Sequence, residues 1–128
     1  MFIGVDFDGT VVDHAYPDIG EPAPDALRVL KKLQEAGHNL ILFTMRSGEE
    51  LKLAVDYLVK NGIDLFAVNC NPTQSSWTQS PKVYCHVYID DAAFGAPLII
   101  QPKFNRPCIN WNEVDDKFFP KEVVDISS

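Results

Sequence analysis

Short apolar runs, each closed by a polar or turn-forming residue, alternate along this chain with segments of helical spacing. The run from Phe2 to Phe7 stops at Gly9 and predicts a first strand. "VVDHAYPDIGEPAP", from Val11 to Pro24, is rich in proline and predicts a loop or flap. Pro24 and Asp25 then start a helix whose apolar positions Ala26, Leu27, Leu30, Leu33 and Ala36 share one face, and Gly37 supplies the left-handed stop. "NLILFT" at 39–44 is apolar on both faces, as a parallel strand covered by helices on each side would be. Ser47 with Glu50 forms a capping-box pattern ahead of "LKLAVDYLVKNG", which ends at Asn61 or Gly62. "DLFAVNC" at 64–70 and "VYCHVYI" at 83–89 predict two further strands. Beyond Gly95 the pattern loosens to "PLIIQ" and "CINW" as short strands, with Asn112 as the cap of a last helix running to about Phe118.

Strands alternating with helix-length crossovers predict an open, mostly parallel, doubly wound α/β sheet. Ligands of such sheets bind beyond the carboxyl ends of the strands. That rule gathers Asp6, Asp8, Thr44, Asp90 and Asp91 along one edge, because each ends a predicted strand. With 128 residues, 46% of them apolar, the chain has the size of one domain over 1–128, and no repeat or linker divides it. No apolar run approaches a membrane span and no secretory leader pattern follows Met1, so the expectation is a cytoplasmic protein without a membrane partner. Cys70, Cys85 and Cys108 lack zinc-like spacing and are expected as reduced thiols. A net charge of −7 argues against a general grip on nucleic acid but leaves room for a small anionic substrate.

The carboxylates carry the chemistry. Residues two apart in an extended segment project to one side, so Asp6 and Asp8 share a side while Phe7 points into the core. Joined by acids from another strand, they make an oxygen cage suited to Mg²⁺, whose charge relieves their repulsion.

In order, "DFDGT", "LILFT", Lys82 in "SPKVYCHVYIDD" and the final "IDD" resemble the four motifs of the haloacid dehalogenase (HAD) superfamily of phosphohydrolases, over about residues 1–95. Lys60 and Lys103 compete for the lysine position, but one lies within a helix and the other follows the acid pair. The resemblance implies a three-layer HAD-like Rossmannoid fold and a phosphatase that acts through an aspartyl-phosphate. It implies Asp6 as nucleophile, Asp8 as general acid and base, Thr44 as a hydrogen-bond donor to the phosphoryl oxygens, and Lys82 as their neutralising cation. It also implies a Mg²⁺ held by Asp6, the Asp8 backbone carbonyl and Asp90, with Asp91 acting through water or as an outer partner.

Each residue also has an ordinary structural reading: a polar loop start for the aspartates, a strand cap for Thr44, an exposed loop lysine for Lys82. Arg46 is a candidate fork for substrate phosphate or a surface arginine at a helix start; His14 and Tyr16 are candidate substrate contacts or plain flap polarity. Trp77 is expected to pack on the sheet. The gaps between motifs hold no cap domain, so the site is expected to be open, covered by its substrate, the flap, the "NPTQSSWTQSP" loop or a second subunit. Substrate candidates are a phosphorylated small molecule, a sugar phosphate or nucleoside monophosphate, and a nucleic-acid phosphate end. The alternatives are a non-catalytic module that binds phosphate and metal, and a phospho-receiver domain. The receiver layout differs, with its acid pair after strand one and its acceptor aspartate after strand three.

Overall fold

The apolar run that opens the chain forms β1 (Phe2–Val5), an interior strand of a four-stranded parallel sheet. The structure is a computed structural model that describes residues 1–121, so 122–128 of the expected domain lie outside the description. After β1 come α1 (Ala26–Glu35), β2 (Asn39–Leu42), α2 (Gly48–Lys60), β3 (Leu65–Val68), a 3₁₀ turn over Pro72–Ser76 and β4 (Val87–Ile89). A two-stranded antiparallel ribbon, β5 (Leu98–Ile99) with β6 (Cys108–Ile109), and α3 (Trp111–Phe118) complete the fold.

The strand order is β3-β2-β1-β4, with Val5 level with Leu42 on one side and with Ile89 on the other. The chain therefore steps outward from β1 to β3 and then crosses back to β4. Right-handed crossovers place the outward helices on one face and the return connection on the other. The reversal leaves a crevice between the ends of β1 and β4, where ligands of open α/β sheets bind.

On the helical face, Ile3, Val5, Leu40 and Leu42 form one core with Leu30 and Leu33 of α1, Leu58 of α2, and Trp111 and Val114 of α3. The opposite face carries Gly4 and Ile41 under Val83 and Cys85. A Cβ on Gly4 would come within 2.9 Å of the Cys85 sulfur, so the glycine lets the return segment lie close. Helices thus cover one face rather than both. The return segment, with "NPTQSSWTQSP", lacks the apolar spacing of a helix and holds only the 3₁₀ turn. What stands is an α/β fold with a parallel, Rossmann-like sheet.

Three local expectations need correction. Residues 83–86 are not strand: His86 N–H reaches Phe2 O at 2.8 Å, but Phe2 N–H donates to the His86 ring Nδ1, so a side chain replaces the next ladder carbonyl. Asn110 rather than Asn112 caps α3, accepting from Glu113 N–H, while Asn112 accepts from Arg28. Ser47 does sit at the α2 N-cap, but its side chain makes no capping bond. No helix among the described residues is long and apolar enough to cross a membrane.

Candidate active site

The carboxyl ends of β1 and β4 bring Asp6, Asp90 and Asp91 together, with one carboxylate oxygen from each lying within 4.8 Å of the others. Asp6 N–H still bonds to Ile89 O at 3.0 Å, so the two strand ends are tied immediately below the cluster. Like charges this close, partly withdrawn from water, disfavour full ionisation. Burial, then the Asp91 hydrogen bond and the charges of Asp90 and Asp91, push the Asp6 carboxyl from 3.8 up to about 8. Burial also pushes Asp91 upward, but hydrogen bonds from His14 and Asp6 outweigh it and hold Asp91 below the usual carboxylate range. An all-oxygen set with surplus negative charge fits a hard divalent cation such as Mg²⁺.

Thr10 and His14 fix the cluster from below. The fully buried Thr10 hydroxyl donates to Asp6 Oδ2 at 3.1 Å, with Asp91 Oδ1 at 3.4 Å, and accepts from Asp91 N–H at 3.1 Å. His14 Nε2 donates to Asp91 Oδ2 at 3.0 Å. Gly9, at φ +87°, makes the turn that brings both residues back to the strand end. Any side chain there would collide with His14 and with Asp91, whose Cγ would lie 2.8 Å from the new Cβ.

Asp8 does not join this cluster through its carboxylate. Alternation fails because β1 ends at Val5 and the chain is already turning, with the N–H groups of Thr10, Val11 and Val12 all directed at Phe7 O. Phe7 does point into the core. Arg46 instead grips Asp8 side-on, Nε to Oδ2 at 2.8 Å and Nη2 to Oδ1 at 2.7 Å. The same guanidinium donates to the carbonyls of Pro17 and Asp18 in the flap and of Glu50 in α2. It stands 5.0 Å from the centre of the Phe7 ring and 5.2 Å from that of Tyr16. The Asp8 hydrogen bonds raise its proton affinity further, against the opposing effect of burial. Arg46 is 3% exposed, so it is not the surface arginine considered from the sequence, and its fork is occupied by Asp8.

Thr44 stands beside this second cluster, its hydroxyl accepting from Arg46 N–H at 3.1 Å and its own N–H donating to Asn69 Oδ1 at 2.8 Å. Lys82 is exposed, its ammonium 6.0 Å from the Tyr88 ring centre, and it makes no ion pair among the described residues. Tyr16 is largely exposed on the flap. Trp77 is 63% exposed, meeting Tyr84 edge-on rather than being buried on the sheet. The cluster lies on an open edge. A groove of about 380 Å³ between β4 and α3 touches it only through Asp90.

Three residues of the site escape a reading by strand ends. Thr10 stands within "DFDGT" and was legible as part of that motif. Asn105 binds the buried Asp13 carboxylate through its N–H at 3.0 Å and its side chain at 3.2 Å, clipping the flap to the chain after β5. Trp111 Nε1 donates to Thr10 O at 2.8 Å. No local signal marks the last two, whose partners lie about ninety to one hundred residues away.

No family model and no curated protein matches the chain. A solved structure does: a conserved protein from Bacteroides thetaiotaomicron, 34% identical, with a TM-score of 0.77 over 100% of this chain and 98% of that one. The chain belongs to that protein's family. The likeness spans both the sheet and the irregular region after Gly95, so β5, β6 and α3 belong to the family's fold along with the motif-bearing strands.

Proposed function

We propose that this protein is a Mg²⁺-dependent phosphatase of HAD type, without a cap domain, that hydrolyses a phosphomonoester through an aspartyl-phosphate on Asp6. The observation that carries the reading is the convergence of Asp6 with Asp90 and Asp91 at the strand-order reversal, two positions apart from a second acid on the same loop. Asp6, Asp90 and Asp91 would hold the cation, which would supply the positive charge that keeps Asp6 ionised beside a phosphate dianion. An Asp6 oxygen attacks phosphorus while the ester P–O bond breaks and the leaving oxygen takes its proton from Asp8. Water then gives a proton to Asp8 and attacks the same phosphorus, releasing inorganic phosphate and restoring the Asp6 carboxylate. Thr44 would hold the phosphoryl oxygens, and Lys82 would serve as their cation once its side chain swings from Tyr88 toward the edge.

A small phosphorylated molecule suits the net charge of −7 better than a nucleic-acid end, whose grip draws on surplus positive charge to replace counterions. A second reading, a module that binds metal and phosphate without turnover, draws support from Asp8, both of whose oxygens are taken by Arg46. Phosphate release from an aryl phosphate and from sugar and nucleoside monophosphates, with Mg²⁺ and with EDTA, separates the two. Release that requires both the metal and Asp6 establishes the phosphatase. Metal binding without release from any ester leaves the binding module.

A further inference from the structure

We propose that Arg46 is a latch that makes the position of the middle of the flap, residues 13–22, and the position of the Asp8 carboxylate one coupled variable. An arginine side chain has five N–H groups. All five are used inside the chain: Nε and one Nη2 hydrogen on Asp8, the other Nη2 hydrogen on Asp18 O, and the two Nη1 hydrogens on Pro17 O and Glu50 O. At 3% exposure, Arg46 has no ready water to replace a lost partner. Removing one acceptor from a buried, fully bonded cation leaves a charged donor unsatisfied, which is far costlier than breaking the same bond at the surface. Nη2 makes the coupling direct, because it donates at once to Asp8 Oδ1 at 2.7 Å and to Asp18 O at 2.6 Å.

The latch joins three elements. Asp8 follows β1, Glu50 lies in the first turn of α2, and Pro17 with Asp18 forms the outer flap. Apart from Ile19, which packs partly buried against the core, and His14 O, which accepts from the Asn105 side chain, the flap is held locally at this point: Asp18 N–H bonds to Ala15 O, and Tyr16 is 62% exposed. Moving the Asp8 carboxylate therefore withdraws two of the contacts that hold the guanidinium, and the carbonyls of Pro17 and Asp18, which lie outside any helix or strand, follow more readily than Glu50 O within α2. Resting on the phosphatase reading, this means that Asp8 reaches a leaving group only as the flap shifts, so Arg46 is a positioning residue for the acid and base step.

Amide hydrogen exchange on the full chain tests the coupling without needing turnover. Asp8→Asn keeps the shape but weakens the fork, and Arg46→Lys keeps the charge but cannot bridge both partners. In each, the Asp18 amide is expected to exchange about tenfold faster or more, while the His86 amide, bonded to Phe2 O at the far end of the sheet, stays within about twofold of wild type. An Asp18 amide unchanged in Asp8→Asn, or both amides speeding up equally, overturns the latch. Should Arg46→Lys fail to fold, Asp8→Asn alone decides. The catalytic consequence is read with two esters: Arg46→Lys is expected to slow an alkyl phosphate about tenfold more than p-nitrophenyl phosphate, whose leaving group needs little protonation. Equal loss on both esters overturns the positioning role. Faster Asp18 exchange alongside no release from any ester by the wild type supports the latch and overturns the phosphatase reading.

Discussion

Asp6 is placed where its own neighbours oppose its charge, and that placement defines what a substitution would do. Asparagine keeps the shape and can still hydrogen-bond Thr10 and Asp91, but it cannot attack phosphorus. On the proposed phosphatase reading, Asp6→Asn is therefore expected to lower phosphate release at least about a thousandfold while the far-ultraviolet circular dichroism spectrum is retained. Gly9→Ala should act through structure instead. With φ +87° and a new Cβ pressed onto His14 and Asp91, it should cost about 2 kcal/mol or more in urea denaturation. At this scale, the sequence revealed Asp6, Asp90 and Asp91 because acids at strand ends are visible in a hydrophobic pattern. It did not reveal that Arg46 is buried on Asp8, since the pairing depends on how a flap 28 or 29 residues upstream folds back over it.

The elements position the cluster through a few long-range ties, and α3 shows which of them matter. Its exposed rim pairs Asp115 with Arg28 and Lys32 of α1, contacts that solvent screens. Its buried Trp111 instead holds Thr10 O through Nε1, and Thr10 holds Asp6 and Asp91. Trp111→Phe leaves that carbonyl without its donor and is expected to cost about 1–3 kcal/mol by chemical denaturation, and to weaken Mg²⁺ binding measured by calorimetry. Asp115→Asn should cost less and leave metal affinity unchanged. The strands were legible because "NLILFT" and its counterparts are apolar and short, although ends such as Phe7 overran the observed pairing. The cover on the second face was not, because Val83 and Cys85 alternate like a strand yet serve as a lining beneath an irregular loop. Only the strand order, which no local pattern encodes, shows that this loop must fill the place of a helix.

Across the whole molecule, the surplus acid couples stability to pH, and would couple both to a cation held by Asp6, Asp90 and Asp91. Asp6 has its folded-state pKa raised from 3.8 to about 8, so the folded chain holds a proton that the unfolded chain releases. Its contribution to stability is then fully present below pH 3.8 and is lost as pH rises toward 8. In EDTA, wild type should lose thermal stability over that window relative to Asp6→Asn, which has no proton to lose there; parallel melting curves at pH 5 and pH 8 would refute the assignment. A divalent cation bound by the three acids would reverse the trend, because it would replace the proton and needs Asp6 ionised. Apparent affinity for Mg²⁺ should therefore rise by up to about tenfold per pH unit below pH 8 and level off above it. Titration calorimetry at pH 7 in two buffers of different ionisation enthalpy should detect close to one proton released per cation bound. The same experiment on Asp6→Asn should detect much less, which assigns the proton to this carboxyl rather than to His14 beside Asp91. If both proteins release protons equally, the cation binds without displacing the Asp6 proton, and the charge balance inferred for the three acids is wrong.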